Sequence, residues 1–184
     1  MILASLFALA AAQPALPRDI VNAGFEARDG VDDLYGRGPL TGWSIREARG
    51  YRAVLMPTSV VSGTRAYAGR QSLFMGYFAR NAPDRGSWTG VHQTIDASRW
   101  RGRRVRASVA ARPAHFAAGR AWLVVRYIGP RTTNAARRSF DRVEEWHRYS
   151  VELDVPANAR ELVVEIGTDG DVMVDDIRLE PVRR

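Results

Sequence analysis

The chain has 184 residues, contains no cysteine and carries a formal net charge of +7 that comes entirely from arginine, since lysine is absent. This length fits one domain that is large enough to bury a core of its own. Without cysteine, the sequence excludes a disulfide framework, a thiol nucleophile and a Cys-containing zinc site.

The N-terminus has the pattern of a secretory signal peptide. Residues 1–12 are almost wholly apolar and end in small residues, and the stretch is too short to cross a bilayer as a helix. We therefore expect a signal peptide at 1–12, a short N-terminal segment at 13–20 and a single domain at 21–184. The mature protein is expected to be secreted or periplasmic, with no transmembrane segment.

The first part of the domain predicts two short strands on either side of a loop. Residues 19–26 are typical of a strand that ends in a turn, and residues 27–40 are rich in Asp and Gly and lack periodicity. Trp43 opens the next strand, where an indole is expected in the core. A weak strand is predicted at 51–61, interrupted by Pro57.

Residues 69–78 predict a further strand with aromatic side chains on one side. If its Leu, Met and Tyr residues face the core, the period of two places Phe74 and Phe78 on the opposite face. Residues 81–90, which include Trp88, lack alternation and predict a loop.

A strand predicted at 91–96 leads into a dense group of arginines, formed by Arg99, Arg101, Arg103, Arg104 and Arg106. Such a group could bind phosphate or a polyanionic glycan. We favour a solvated turn and strand edge, where charge discourages edge-to-edge pairing. Acids elsewhere offset much of the positive field, and secretion argues against nucleic acid as a partner.

The next two strands are amphipathic. Residues 105–112 alternate between small apolar and polar side chains. In residues 121–128, Leu, Val and Tyr form the more apolar set, so Trp122 and Arg126 are predicted to share the outward face. Residues 129–142 predict a long polar connection.

The last part of the chain repeats the period of two at 148–155, 162–166 and 171–180. At least seven strands at short spacing, with no helical pattern and no internal repeat, predict an all-β fold. The expected architecture is an antiparallel β-sandwich in which the two chain ends meet.

Five stretches together resemble the galactose-binding-like jelly-roll modules, which include many carbohydrate-binding modules. They are Asn22-Ala-Gly-Phe-Glu26, the Gly-then-Ser-Leu strand at 69–73, and the segments 93–106, 146–156 and 171–180. The resemblance implies a binding or accessory domain. Together with the predicted signal peptide, it leads us to expect a secreted, non-catalytic binding module for a glycan or polysaccharide. A structural or protein-interaction domain of the cell envelope is the alternative, with the outward face closed by residues 129–142 or by a partner.

The resemblance also implies a structural calcium ion. In calcium-binding members of that superfamily the motif glutamate ligates the ion, so Glu26 and Asp175 are the candidate ligands. Backbone carbonyls near Gly69 and Gln71 would complete a shell of oxygen atoms. The alternative is that both carboxylates only accept hydrogen bonds from loop amides and arginines.

A sugar-binding face needs flat aromatic rings with a few polar groups beside them. The side chains that meet this demand are Trp122, Phe74, Phe78, Trp88, Arg106 and Arg126. The alternative is that loops cover these aromatics and make them a second small core.

Catalysis has little support in the sequence. No Gly-x-Ser-x-Gly elbow, His-Glu-x-x-His helix or phosphate-binding glycine loop occurs, and the three histidines are scattered. A jelly-roll polysaccharide lyase is a third alternative, because His92 and Tyr127 are residue types that such a reaction uses. We expect the protein not to be an enzyme.

Overall fold

The computed structural model of the chain describes residues 16–27, 40–57, 66–77, 86–113, 119–140 and 145–182. The predicted signal peptide at 1–12 and the candidate residue Phe78 lie outside the described residues.

Ten strands and one turn of 3-10 helix at Ala97–Arg99 make up the described part of the chain. The strands are β1 (Ser44–Arg46), β2 (Tyr51–Pro57), β3 (Gln71–Tyr77), β4 (Thr89–Asp96), β5 (Arg104–Pro113), β6 (Ala121–Ile128), β7 (Thr133–Ser139), β8 (His147–Asp154), β9 (Glu161–Thr168) and β10 (Val172–Pro181).

The strands form two five-stranded sheets, each with antiparallel pairing. The first sheet has the order β1-β4-β9-β6-β7 and the second has the order β2-β3-β10-β5-β8. The last strand, β10, lies at the centre of the second sheet, where it pairs with β5 on one side and, over its first three residues, with β3 on the other. The predicted all-β antiparallel sandwich is confirmed.

One hydrophobic core fills the space between the sheets, and each strand contributes every second side chain to it. Leu123 and Val125 of β6 are fully buried there, opposite Ile166 and Val164 of β9. Trp43 also belongs to this core, with 6% of its surface exposed. The intervening positions therefore point to the outer face of each sheet.

The segment 22–26 is a turn and not the predicted strand. Asn22 and Phe25 both have positive φ, and the Phe25 N–H donates to the Asn22 carbonyl at 3.1 Å. The Asn22 side chain fixes this turn, because its amide oxygen accepts from the Ala27 N–H at 2.9 Å. The turn reaches the last strand, where the Ile177 N–H donates to the Ala23 carbonyl at 3.0 Å.

Two details of the strands differ from the predicted pattern. The polar connection expected at 129–142 contains β7, which pairs with β6 along its whole length and forms one edge of the first sheet. The register of β10 against β5 shifts between Asp175 and Arg178, where Asp176 has a φ of 44°. This bulge interrupts the period of two that the sequence predicts for residues 171–180.

No described helix is long and apolar enough to cross a membrane.

Candidate functional site

Two paired glycines lie under the aromatic side chains on the outer face of the first sheet. Gly90 of β4 lies opposite Gly167 of β9. A Cβ atom on Gly167 would come within 2.6 Å of the Trp122 ring, and one on Gly90 within 2.9 Å of the Trp88 ring. The indoles therefore occupy the space that side chains would fill at these two positions.

Two arginines extend these indoles into a row of planar groups across the sheet. The rings of Trp88 and Trp122 meet edge to face with centroids 5.7 Å apart. The Arg46 guanidinium lies 3.9 Å from the Trp88 ring centroid, and that of Arg137 lies 4.3 Å from the Trp122 ring centroid. We call Arg46, Trp88, Trp122 and Arg137 the planar row.

The row combines loop and strand residues from both halves of the chain. Arg46 is on β1, Trp122 on β6 and Arg137 on β7, whereas Trp88 immediately precedes β4. Trp122 lies on the outer face of β6, and Arg126 is four residues further along the same strand. The alternation of β6 thus places these two side chains as the sequence predicted.

The exposure of Trp122 differs from the expectation. Only 8% of its surface is exposed, because Trp88, Arg137 and the backbone at Gly167 surround the indole. Trp88 is partly exposed, and both Arg46 and Arg137 are exposed. A ligand on this face would therefore contact Trp88 and the two arginines more than Trp122.

Polar side chains lie beside the planar row on the same face. His92 of β4 is paired in register with Glu165 of β9, and Glu165 is opposite Val124 of β6. The Arg126 guanidinium lies 3.5 Å from the Glu165 carboxylate. These groups could orient sugar hydroxyls, since they place both donors and acceptors next to an aromatic surface.

Arg46 and Arg137 differ from Arg126 in their electrostatic surroundings. Among the described residues, neither of them forms an ion pair with a carboxylate, and each contacts an indole face instead. The Arg126–Glu165 pair is neutral, so the free positive charge of this face sits at the two ends of the row.

Two of the predicted ligand residues lie on the other sheet. Phe74 is on β3 and Arg106 is on β5, both in the second sheet, so neither is near Trp122 as a strand neighbour. Arg106 is also engaged, because its guanidinium donates to Glu152 at 2.6 and 3.0 Å. Alternation assigns a side chain to a face of its strand, but it does not say which sheet the strand joins.

The residues considered for a lyase reaction do not converge. His92 is on the outer face of the first sheet, whereas Tyr127 packs against the core from the opposite face of that sheet. A base and an acid must both reach the same bound sugar chain, which side chains on opposite faces of a sheet do not allow.

Glu26 and Asp175 both hold the turn that precedes β3. Glu26 Oε1 accepts from the backbone N–H groups of Arg70 and Gln71, at 2.8 and 3.2 Å. Asp175 Oδ2 accepts from the Ala68 N–H at 2.9 Å, and its Oδ1 accepts from the Asp176 N–H at 2.7 Å.

Gly24 lies beside both side chains. A Cβ atom on Gly24 would lie 3.6 Å from Asp175 Oδ1 and 3.9 Å from Glu26 Cγ. Asp175 is fully buried, and burial raises the pKa of its carboxyl group, which the hydrogen bonds from Ala68 and Asp176 oppose. No described arginine forms an ion pair with Asp175. A buried carboxylate without a cation fits a metal ligand in its chemistry.

Comparison with solved structures identifies proteins of similar fold. The enzymatically active domain of tailspike protein 4 from bacteriophage CBA120 matches with a TM-score of 0.63 and 10% identity, over 90% of this chain and 21% of that chain. This chain therefore spans about a fifth of the length of the tailspike domain.

Two carbohydrate-binding modules match over nearly their whole length. The CBM22-1 xylan-binding domain of Paenibacillus barcinonensis Xyn10C has a TM-score of 0.55 and 15% identity, over 92% of this chain and 99% of that domain. TmCBM61, in complex with β-1,4-galactotriose, has a TM-score of 0.55 and 12% identity, over 90% of this chain and 99% of the module.

At the level of sequence, no family model and no curated protein matches this chain. The similarity therefore lies in the architecture, that of two packed antiparallel sheets. The chain has the galactose-binding-like β-sandwich fold of these carbohydrate-binding modules.

Proposed function

We propose that the protein is a non-catalytic carbohydrate-binding module that holds a glycan against the outer face of the first sheet. The observation that carries the proposal is the planar row. In this row two indoles lie over a pair of glycines and an arginine contacts each indole. Similar folds that bind xylan and β-1,4-galactotriose support the ligand class. The apolar stretch at 1–12 supports export to the periplasm or the medium.

The aromatic and the polar residues of this face have different roles in the proposed binding. Trp88 offers to a sugar the part of its ring that Arg46 leaves exposed, and Trp122 contacts that ring edge to face. His92 and Glu165 lie beside the row, where they can donate to and accept from hydroxyl groups.

Binding to a panel of soluble polysaccharides tests this function. We expect the wild-type protein to bind at least one polysaccharide in affinity electrophoresis, and Trp88→Ala to weaken that binding about tenfold, or about 1.4 kcal/mol. Trp146→Ala is the matched control, because Trp146 is a partly buried indole that contacts Tyr67 away from the planar row.

Equal losses for both variants would place the ligand elsewhere. Absence of binding to every polysaccharide, with the fold intact, would leave the protein-interaction domain as the better hypothesis.

We also propose that Glu26 and Asp175 hold a structural calcium ion, with backbone carbonyls of the turn at 67–71 completing the oxygen shell. The burial of the Asp175 carboxylate, which has no ion-pair partner among the described residues, supports this. The ion would stabilise the junction of the two chain ends, because it would tie the turn at 22–26 to β10.

Melting in chelator and in millimolar calcium tests the ion. A ligand that binds only the native state adds about 2.7 kcal/mol at a hundredfold excess over Kd, so calcium should raise Tm by several degrees. Asp175→Asn should erase that shift. The shift is the readout, since an Asn amide would also oppose the Ala68 N–H. Equal Tm values for the wild type in both buffers would refute the site.

A further inference from the structure

We propose that the glycan on this face is acidic, and that Arg46 and Arg137 bind its carboxylate or sulfate groups. This inference rests on the proposed carbohydrate-binding function and names the class of polysaccharide. Three features carry it, namely how the arginines are held, which charges oppose them and how far apart they stand.

Both arginines are held in a way that leaves their hydrogen-bond donors available. Each guanidinium lies over an indole, at 3.9 Å for Arg46 and 4.3 Å for Arg137. Neither guanidinium donates a hydrogen bond to another described residue, so the planar fork of N–H groups remains available. Such a fork matches the two oxygens of a carboxylate or a sulfate. Stacking also reduces the rotamer freedom that binding would otherwise have to remove.

Among the described residues, no carboxylate pairs with either of these two arginines. Most arginines of the second sheet and of the turn before β5 donate to carboxylates or carbonyls, as Arg104, Arg106 and Arg148 do. On the first sheet, the Glu165 carboxylate is paired with Arg126, and Asp96 and Glu161 lie at the other end of β4 and β9 from the glycine pair. Within the described part of the chain, Arg46 and Arg137 are thus exposed cations without acidic partners, held on either side of an aromatic surface.

The spacing of the two arginines fits a polymer. Arg46 is on β1 and Arg137 on β7, the two edge strands of a five-stranded sheet. The two guanidinium carbons are no more than about 14 Å apart, because each lies over one of two indoles that contact each other. A polymer that crosses the row could present acidic groups to both arginines and contact the exposed part of Trp88.

Binding to matched acidic and neutral polymers tests the inference. The probes are polygalacturonate, alginate, hyaluronan and chondroitin sulfate as acidic polymers, and xylan and galactan as neutral ones, all in 150 mM NaCl. We expect at least one acidic polymer to bind at least tenfold more tightly than either neutral one. The Arg46→Gln/Arg137→Gln double variant should lose at least tenfold of that affinity.

The control is Arg103→Gln/Arg160→Gln, which removes the same charge from two exposed arginines outside the planar row. It should change the affinity less than twofold. Equal losses for the two double variants would mean diffuse attraction to a basic protein and would overturn the inference. Preference for neutral polymers would also overturn it while the carbohydrate-binding function stands. Absence of binding to all six polymers would refute both.

Discussion

Two groups of arginines in this protein differ in how closely they follow one another in the sequence and in how many of them remain free to bind a ligand. In the arginine-rich segment at 99–106, Arg99 contacts the Asp19 carboxylate and Arg101 Nε donates to the Ala159 carbonyl at 2.7 Å. In the same segment Arg104 and Arg106 both donate to Glu152. Four of the five arginines of this segment therefore already contact an acceptor within the protein, and carboxylates offset part of its charge.

The planar row contains only two arginines, 91 positions apart in sequence, yet neither has an acidic partner among the described residues. Each is positioned by an indole, which orients the guanidinium without consuming its charge. The comparison teaches that a ligand responds to the charge left after internal pairing. Runs of arginine in a sequence do not report that quantity.

Removing the platform should have the largest effect on the protein. Trp122→Ala would leave a gap above Gly167 and remove the support of both Trp88 and Arg137. We expect a loss of about 3 kcal/mol in the free energy of unfolding, at the low end for a buried Trp, measured by urea denaturation. Trp88→Ala should cost less, because its ring is partly exposed. A smaller loss for Trp122→Ala than for Trp88→Ala would contradict this arrangement.

Exchange of a stacked arginine for lysine should have an intermediate effect. Arg137→Lys keeps the charge but loses the flat fork and most of the contact with the Trp122 ring. We expect about three- to tenfold weaker binding of an acidic glycan, measured by calorimetry. Arg104→Lys, in the arginine-rich segment at 99–106, is the control and should bind the glycan as the wild type does. Unchanged binding by Arg137→Lys would mean that charge alone matters.

Neutralising the acid on the binding face should have a smaller effect of opposite sign. Glu165→Gln removes the carboxylate that lies 3.5 Å from Arg126 and so frees a third cation beside the row. Acidic glycans should then bind about two- to threefold more tightly, since a like-charge repulsion is removed and a donor is gained. Weaker binding would show that Glu165 contacts ligand hydroxyls as an acceptor.

A change in the pKa of Glu152, which binds the arginine-rich segment at 99–106, should have the smallest effect on glycan binding. The hydrogen bond from Arg106, with that from Arg104, lowers the pKa of Glu152 below its usual range. A lowered pKa means that this carboxylate contributes stability above its unfolded pKa and loses it as pH falls through the folded value. NMR titration should show that pKa return towards normal in Arg104→Gln/Arg106→Gln. Glycan binding by this variant should stay unchanged.

Alternation along the strands could be predicted from the sequence, and it placed Trp122 and Arg126 together on the outer face of β6. It could not reveal which strands are neighbours, and this is why Phe74 and Arg106 were grouped with Trp122 although they lie on the second sheet. Strand order depends on long-range pairing, which a period of two does not encode.

Other errors have local causes. The strand β7 was missed because its sequence, Thr-Asn-Ala-Ala-Arg-Arg-Ser, has no apolar face, as suits a mostly exposed edge strand. The stacking of Arg46 and Arg137 left no sequence signal, because each arginine meets its indole only through the fold. Trp88 was recognised as a candidate, but its contact with Trp122 depends on the glycine pair, which no motif marks.

The glycine pair under the indoles has a consequence for tolerance to change. Gly167 lies on the outside of a sheet, where a strand would normally gain stability from almost any larger side chain. Here a single methyl group would meet the Trp122 ring at 2.6 Å. In a survey of all substitutions that selects for folding alone, this surface position should be as restrictive as one in the interior. The neighbouring outward residue Glu165 should accept many replacements in the same survey and reveal its role only when ligand is present.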